Sequence, residues 1–80
     1  MGYDILNKLK YQGRLGECKV TITHRGAPDD VMEISGYDIT EVKKSNFYYK
    51  NESGDDVFIP YHMILEIIVS GKTMWKKRAR

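Results

Sequence analysis

Between Cys18 and Thr23 apolar and polar side chains alternate without a break: Cys18, Val20 and Ile22 against Lys19, Thr21 and Thr23. A two-residue period is the signature of a strand with one buried and one solvated face. Such a strand needs a partner, and the sequence supplies one. Gly26, Ala27, Pro28, Asp29 and Asp30 form a run of turn residues, after which residues 31–34 read as a returning strand. A hairpin that is dry on one side must lay that side on a covering layer, and this requirement constrains the rest of the chain.

The cover is supplied at the N-terminus. Over residues 4–11, Ile5, Leu6 and Leu9 share one helical face, Asp4 is placed to cap the start, and Gly13 is placed to end the helix. Further strands follow. Ser35 and Gly36 break the second strand, and residues 37–44 read as a short helical turn followed by extended chain. Residues 47–50 and 57–59 are aromatic or β-branched runs around a polar loop, with Phe47 and Tyr49 expected on one face and Tyr48 on the other. Pro60 closes the second run because it has no N–H to donate. Residues 64–69 and 73–76 flank Ser70, Gly71 and Lys72, a second hairpin connection. The expectation is an α+β fold in which the N-terminal helix packs on a strongly curved, mainly antiparallel sheet of five or six strands. Curling into a partly open barrel is anticipated because flat sheets pack poorly against a single helix. A frayed basic tail is expected over residues 76–80.

Eighty residues suffice for one domain spanning 1–80, with no room for a catalytic and a separate binding domain. At this size folding hides only roughly 60 to 65 per cent of the unfolded surface, so most apolar residues are committed to packing and a functional site must sit on the rim of the core. The longest apolar stretch, residues 64–69, contains Glu66 and is far short of the roughly 20 residues that span a bilayer. The N-terminal segment lacks the pattern of a secretory signal, and one cysteine, Cys18, makes no internal disulfide or cysteine-rich zinc site. A cytoplasmic protein without cofactor or metal is expected. Net charge is only +2, yet Lys76, Lys77, Arg78 and Arg80 cluster together while Asp29, Asp30, Asp55 and Asp56 collect elsewhere, which permits a nucleic-acid partner without requiring one.

The two histidines each sit in a turn beside a strand end. His24 continues the phase of Cys18, Val20 and Ile22, so its ring is expected to lean toward the core and Arg25 away from it. With Gly26 behind them, the pair can offer a phosphate an imidazole, a forked guanidinium and a backbone amide. The alternative is structural: His24 bonds a nearby carbonyl and Arg25 pairs with Asp29 or Asp30. His62 lies in a proline-initiated turn between Tyr61 and Met63, where rigid flanks fix the imidazole for recognition or for acid/base work. The alternative there is a ring that tiles the end of the core. Used together, His24 and His62 fit three chemistries: a phosphodiesterase or cyclic-phosphate hydrolase, a metal site, or a binding site. No orienting third group or nucleophile accompanies the pair, and no metal-ligand spacing is present, so binding asks least of the sequence. Tyr48, Tyr49, Tyr61 and Trp75 are candidates for stacking on bases. A protein-interaction domain is the remaining class.

The segments Asp4-Ile5-Leu6-Asn7-Lys8, His24-Arg25-Gly26-Ala27-Pro28 and Ile59-Pro60-Tyr61-His62-Met63-Ile64-Leu65-Glu66-Ile67 resemble the small archaeal proteins of the RNA cyclic-group end recognition domain family. The resemblance covers nearly the whole chain. It implies an RNA-binding module that recognises phosphorylated or cyclic-phosphate RNA ends in processing or repair, with RNA-processing enzymes as partners; the phosphodiesterase or cyclic-phosphate hydrolase using His24 and His62 and the protein-interaction domain stay as alternatives. Carried over by position, it matches His24, Arg25 and His62 to the family's polar positions, with Gly26 shaping the first turn; the RNA- and phosphate-binding residues expected are His24, Arg25, Gly26, His62 and Tyr61, which stacks or packs nearby. Pro60 shapes the second turn. The family pattern has an arginine after the second histidine, whereas Met63 stands there in this chain. That phosphate ligand is then either absent or supplied from elsewhere, with Lys43 and Lys44 as the candidates.

Overall fold

The computed structural model describes residues 2–78. A helix α1 (Gly2–Tyr11) is followed by seven strands: β1 (Cys18–Thr23), β2 (Val31–Ser35), β3 (Ile39–Val42), β4 (Asn46–Lys50), β5 (Asp56–Pro60), β6 (Ile64–Val69) and β7 (Lys72–Lys76). Helix α1 begins two residues before Asp4, because Gly2 lies against Ile64 and Tyr61; a Cβ there would stand 2.8 Å from Ile64 Cδ1. The helix ends as expected at Gly13, whose φ of 69° reverses the chain. The amide of Gly13 donates to the Lys10 carbonyl and that of Arg14 to the Leu9 carbonyl, which satisfies two otherwise orphaned acceptors.

The strands form two antiparallel sheets, one of four strands in the order β2-β1-β6-β7 and one of three in the order β3-β4-β5. The anticipated single curled sheet or partly open barrel is therefore wrong, although the α+β class and the leading helix stand. The physical reason lies in two 3-10 turns. The chain leaves the first sheet after β2 through Gly36–Asp38 and returns to it after β5 through Tyr61–Met63. Each turn redirects the backbone, so β3, β4 and β5 pair only with one another. A second sheet thus encloses the core, which removes the need for one sheet to curl around it.

One core joins all three layers. Leu6 from the helix, Val20, Ile22, Ile64 and Ile67 from the four-stranded sheet, and Phe47 from the three-stranded sheet are fully or almost fully buried. Phe47 and Tyr49 face this core, Tyr49 only in part, while Tyr48 pairs across the sheet with the exposed Phe58. The end expected to fray is held further than anticipated: β7 runs through Lys76, and the Lys77 amide donates to the Leu65 carbonyl at 2.8 Å. The remainder of that tail, residues 79–80, lies outside the described residues. Among the described residues no helix is long and apolar enough to cross a membrane.

Candidate nucleic-acid end site

The sheet register decides how the two histidine turns relate. Strand β1 runs antiparallel to β6, with Ile22 opposite Ile64. His24 follows the end of β1 and His62 precedes the start of β6, so both turns emerge at the same end of the same sheet on neighbouring strands. Two segments almost forty residues apart in sequence are thereby set side by side by a ladder of backbone hydrogen bonds.

The first turn is closed by its own backbone. The His24 amide donates to the Asp30 carbonyl at 2.8 Å and the Asp30 amide to the Ala27 carbonyl at 2.8 Å. Gly26, at φ 91°, makes the reversal that other residues resist. The pleat ends at Thr23, so strand phase no longer governs His24: its ring is exposed, as is Arg25, and the expected core-facing histidine is not found. Arg25 makes no ion pair among the described residues, and Lys19 rather than Arg25 is the cation that pairs across this hairpin, with Glu33 at 3.7 Å. The Gly26 amide, by contrast, is engaged by the Asp30 carboxylate at a long 3.4 Å. An incoming phosphate must compete with that carboxylate for the amide.

The second turn is a rigid crossover. Pro60 enters it in extended conformation and Tyr61 is buried, with its ring edge-on to Tyr3 and against Phe47 at centroid distances of 6.0 Å in both cases. The Tyr61 hydroxyl donates to the Lys43 carbonyl. Burial, reinforced by the neighbouring Tyr3, pushes this phenol up to about 12, so it remains a donor throughout the physiological range. Tyr61 is thus an anchor inside the core and not a ring available for stacking. His62 is exposed beside it, while Met63 packs against the core.

Lys77 completes this end of the sheet, and sequence reasoning overlooked it by assigning it to the tail. Its ammonium donates to the His62 carbonyl at 2.8 Å. An ammonium has three donors, so two remain for an anion. Counting from the Ser70–Gly71 turn, with Val69 opposite Lys72, would set Trp75 opposite Glu66; a register shift between Ile67 and Ile68 sets Lys76 there instead and brings the Lys77 amide to the Leu65 carbonyl, so no local pattern records the position. Lys77 therefore brings a cation next to the turn in which Met63 supplies none.

Lys43 and Lys44 belong to the β3–β4 turn, which Tyr61 ties to the same crossover. The Lys43 ammonium lies 3.7 Å from Glu41 and 5.7 Å from the centre of the Tyr48 ring, and Lys44 is exposed. None of His24, Arg25, Gly26, Lys43, Lys44, Tyr61 and His62 lines either of two cavities of 490 Å³, one between α1 and the β6–β7 hairpin, the other beside Met32, Tyr49 and Lys50. The histidine turns form an open rim. Among the described residues no group of three His, Cys, Asp or Glu side chains gathers as a metal site would require. No side-chain hydrogen bond among the described residues orients either imidazole.

No curated protein and no solved structure matches the chain. A family model does. Residues 1–77 match the MJ1316 RNA cyclic group end recognition domain, and a match over nearly the full length, including both histidine turns and Lys77, shows that the chain belongs to that family.

Proposed function

We propose that the protein is an RNA-binding module that captures RNA ends carrying a terminal or cyclic phosphate, and that it does so at the sheet end where the two histidine turns meet. The observation that carries this reading is the β1–β6 register, which sets the His24 and Arg25 turn beside the His62 turn while Lys77 is fastened to the latter. Arg25 offers a planar fork suited to two phosphate oxygens. Lys77 contributes a point charge with two unused donors, and the imidazoles of His24 and His62 supply further hydrogen-bonding groups. Gly26 shapes the first turn, and Tyr61 holds the second turn against the core. Lys43 and Lys44 extend the basic surface along the adjoining turn. The family description, which names RNA cyclic group end recognition, supports the same reading.

The role assigned is recognition without turnover. An exposed rim can hold a terminal phosphate while leaving the rest of the end accessible to an RNA-processing enzyme, which is the partner this reading implies. Hydrolysis by His24 and His62 would instead place one imidazole on each side of the phosphorus, each fixed by a further group.

The direct experiment is fluorescence anisotropy with one RNA oligomer prepared with a 2′,3′-cyclic phosphate, a linear 3′-phosphate or a 3′-hydroxyl. Tighter binding of the phosphorylated ends is expected, with salt-dependent affinity. Equal affinity for all three ends the claim of end recognition. Chromatography of the cyclic-phosphate oligomer after hours with the protein is expected to return it unchanged. Conversion to a linear phosphate that disappears in both His24→Ala and His62→Ala replaces the binding role with catalysis.

A further inference from the structure

Phe58 was not singled out by sequence pattern, yet it is 54% exposed in the middle of β5. It stands opposite Tyr48 of β4, and their rings meet edge to face at 5.8 Å and 75°. The edge-to-face contact fixes the orientation of both rings on the outer side of the three-stranded sheet. Lys43 holds its ammonium over the Tyr48 ring at 5.7 Å, so a cation borders the aromatic pair. Glu41 and Asp56 lie beside the same face, opposite Tyr48 and Lys50, so charge on this face is balanced and stacking has to supply the affinity.

The position of the pair relative to the phosphate rim gives it meaning. Phe58 is two residues before Pro60, or roughly 7 Å along the strand, and the crossover bearing His62 follows at once. The β3–β4 turn that carries Lys43 is tied to that crossover by the Tyr61 hydroxyl. An aromatic platform is therefore connected by one strand and one partly buried hydrogen bond to the turn assigned to the terminal phosphate.

We propose that Phe58 and Tyr48 form a stacking site for the nucleobases next to the bound RNA end, so that the ligand is single-stranded RNA and not an isolated terminal phosphate. The proposal rests on the end-binding reading for its position and extends it to the body of the strand. Stacking on aromatic side chains tolerates every base, because each base has a π-face. The site therefore confers length dependence and preference for unpaired ends, with little sequence preference.

The test uses the full chain and three probes: a short single-stranded RNA ending in a 2′,3′-cyclic phosphate, the same oligomer with abasic residues next to the end, and a nucleoside 2′,3′-cyclic phosphate. Phe58→Ala is expected to weaken the oligomer by about 5- to 100-fold, to leave the nucleoside probe unchanged, and to bring the normal and abasic oligomers close to one affinity. Phe58→Trp is expected to restore binding. Because Phe58 is exposed, the denaturant midpoint of each variant is expected to stay near that of the wild type. Undiminished oligomer binding by Phe58→Ala overturns the stacking site and leaves the patch as a surface for a protein, as does an equal loss for normal and abasic oligomers. If the wild type ignores end chemistry but Phe58→Ala still loses the oligomer selectively, end recognition fails and the stacking site stands.

Discussion

The Tyr61 hydroxyl donates its hydrogen bond to the backbone carbonyl of Lys43, joining the crossover that carries His62 to the turn between β3 and β4. The phenol is only 8% exposed, so its polar end needs this partner. Through that one contact the histidine rim and the lysine turn are held to a common core residue.

Tyr61→Phe keeps the ring and removes the bond. The expected loss is about 0.5 to 1.5 kcal/mol of stability, with additional cost from the carbonyl left unpaired, read from the urea midpoint. The pH dependence carries a sign. In the folded chain the phenol is pushed up to about 12, chiefly by burial, whereas in the unfolded chain it ionises near its usual value of about 10. Below about pH 10 both states hold the proton and the contribution is complete. As pH rises toward 12 the unfolded state gives up its proton first, so the folded state loses stability. The wild type should therefore lose more of its midpoint than Tyr61→Phe between about pH 9 and about pH 11.

Lys77 is expected to act as a phosphate ligand held in place by the His62 carbonyl. Lys77→Gln preserves a donor for that carbonyl but removes the charge. Affinity for single-stranded RNA with a phosphorylated end should fall, and the slope of log affinity against log salt should become shallower by about 0.7. An unchanged slope removes Lys77 from the interface.

Asp29 is expected to act in the opposite direction. It is exposed in the His24 turn at φ 58°, a conformation asparagine also adopts, so Asp29→Asn preserves the turn while deleting a negative charge near Arg25. Tighter binding of a terminal phosphate by roughly 1.5- to 5-fold is expected at low salt, shrinking as salt rises. Weaker binding would show that the carboxylate supports the site instead of opposing it.

Local signals in the sequence were legible where neighbours along the chain decide the outcome. The strand at residues 18–23 coincides with β1 because its alternation follows directly from the pleat. The hairpin between β4 and β5 turns where the polar loop predicts, with Asn51 bonding the Asp55 amide and Gly54 at φ 84°. The division into two sheets was not legible, because it depends on β1 choosing β6, more than forty residues away, and no local pattern records that choice. A register shift between Ile39 and Glu41 also leaves Ile39 and Val42 buried with two exposed residues between them, which hides β3 from a period-two reading. The same division limits what was legible of the site. His24, Arg25 and His62 were visible as residue types in turns, but their adjacency and the contribution of Lys77 come from long-range pairing.

The corner that launches the second sheet makes the sharpest stability prediction. Gly36 starts the 3-10 turn after β2 and is buried against the turn that precedes β1. A Cβ at this position would lie 1.7 Å from the Leu15 carbonyl oxygen and 2.7 Å from the sulfur of Cys18, itself buried with its thiol pushed up by desolvation. Backbone cannot yield as a flexible side chain does, so Gly36→Ala must displace the corner. Gly13→Ala offers the contrast, since only its φ of 69° opposes a side chain and nothing stands within 4 Å. Gly13→Ala is expected to cost about 1 to 2 kcal/mol, whereas Gly36→Ala should exceed the roughly 4 kcal/mol that marks exceptional single substitutions. Thiol labelling checks the mechanism as well as the magnitude: Cys18 should react slowly in the wild type and in Gly13→Ala, and quickly in Gly36→Ala, because only the last opens the corner that shields the sulfur.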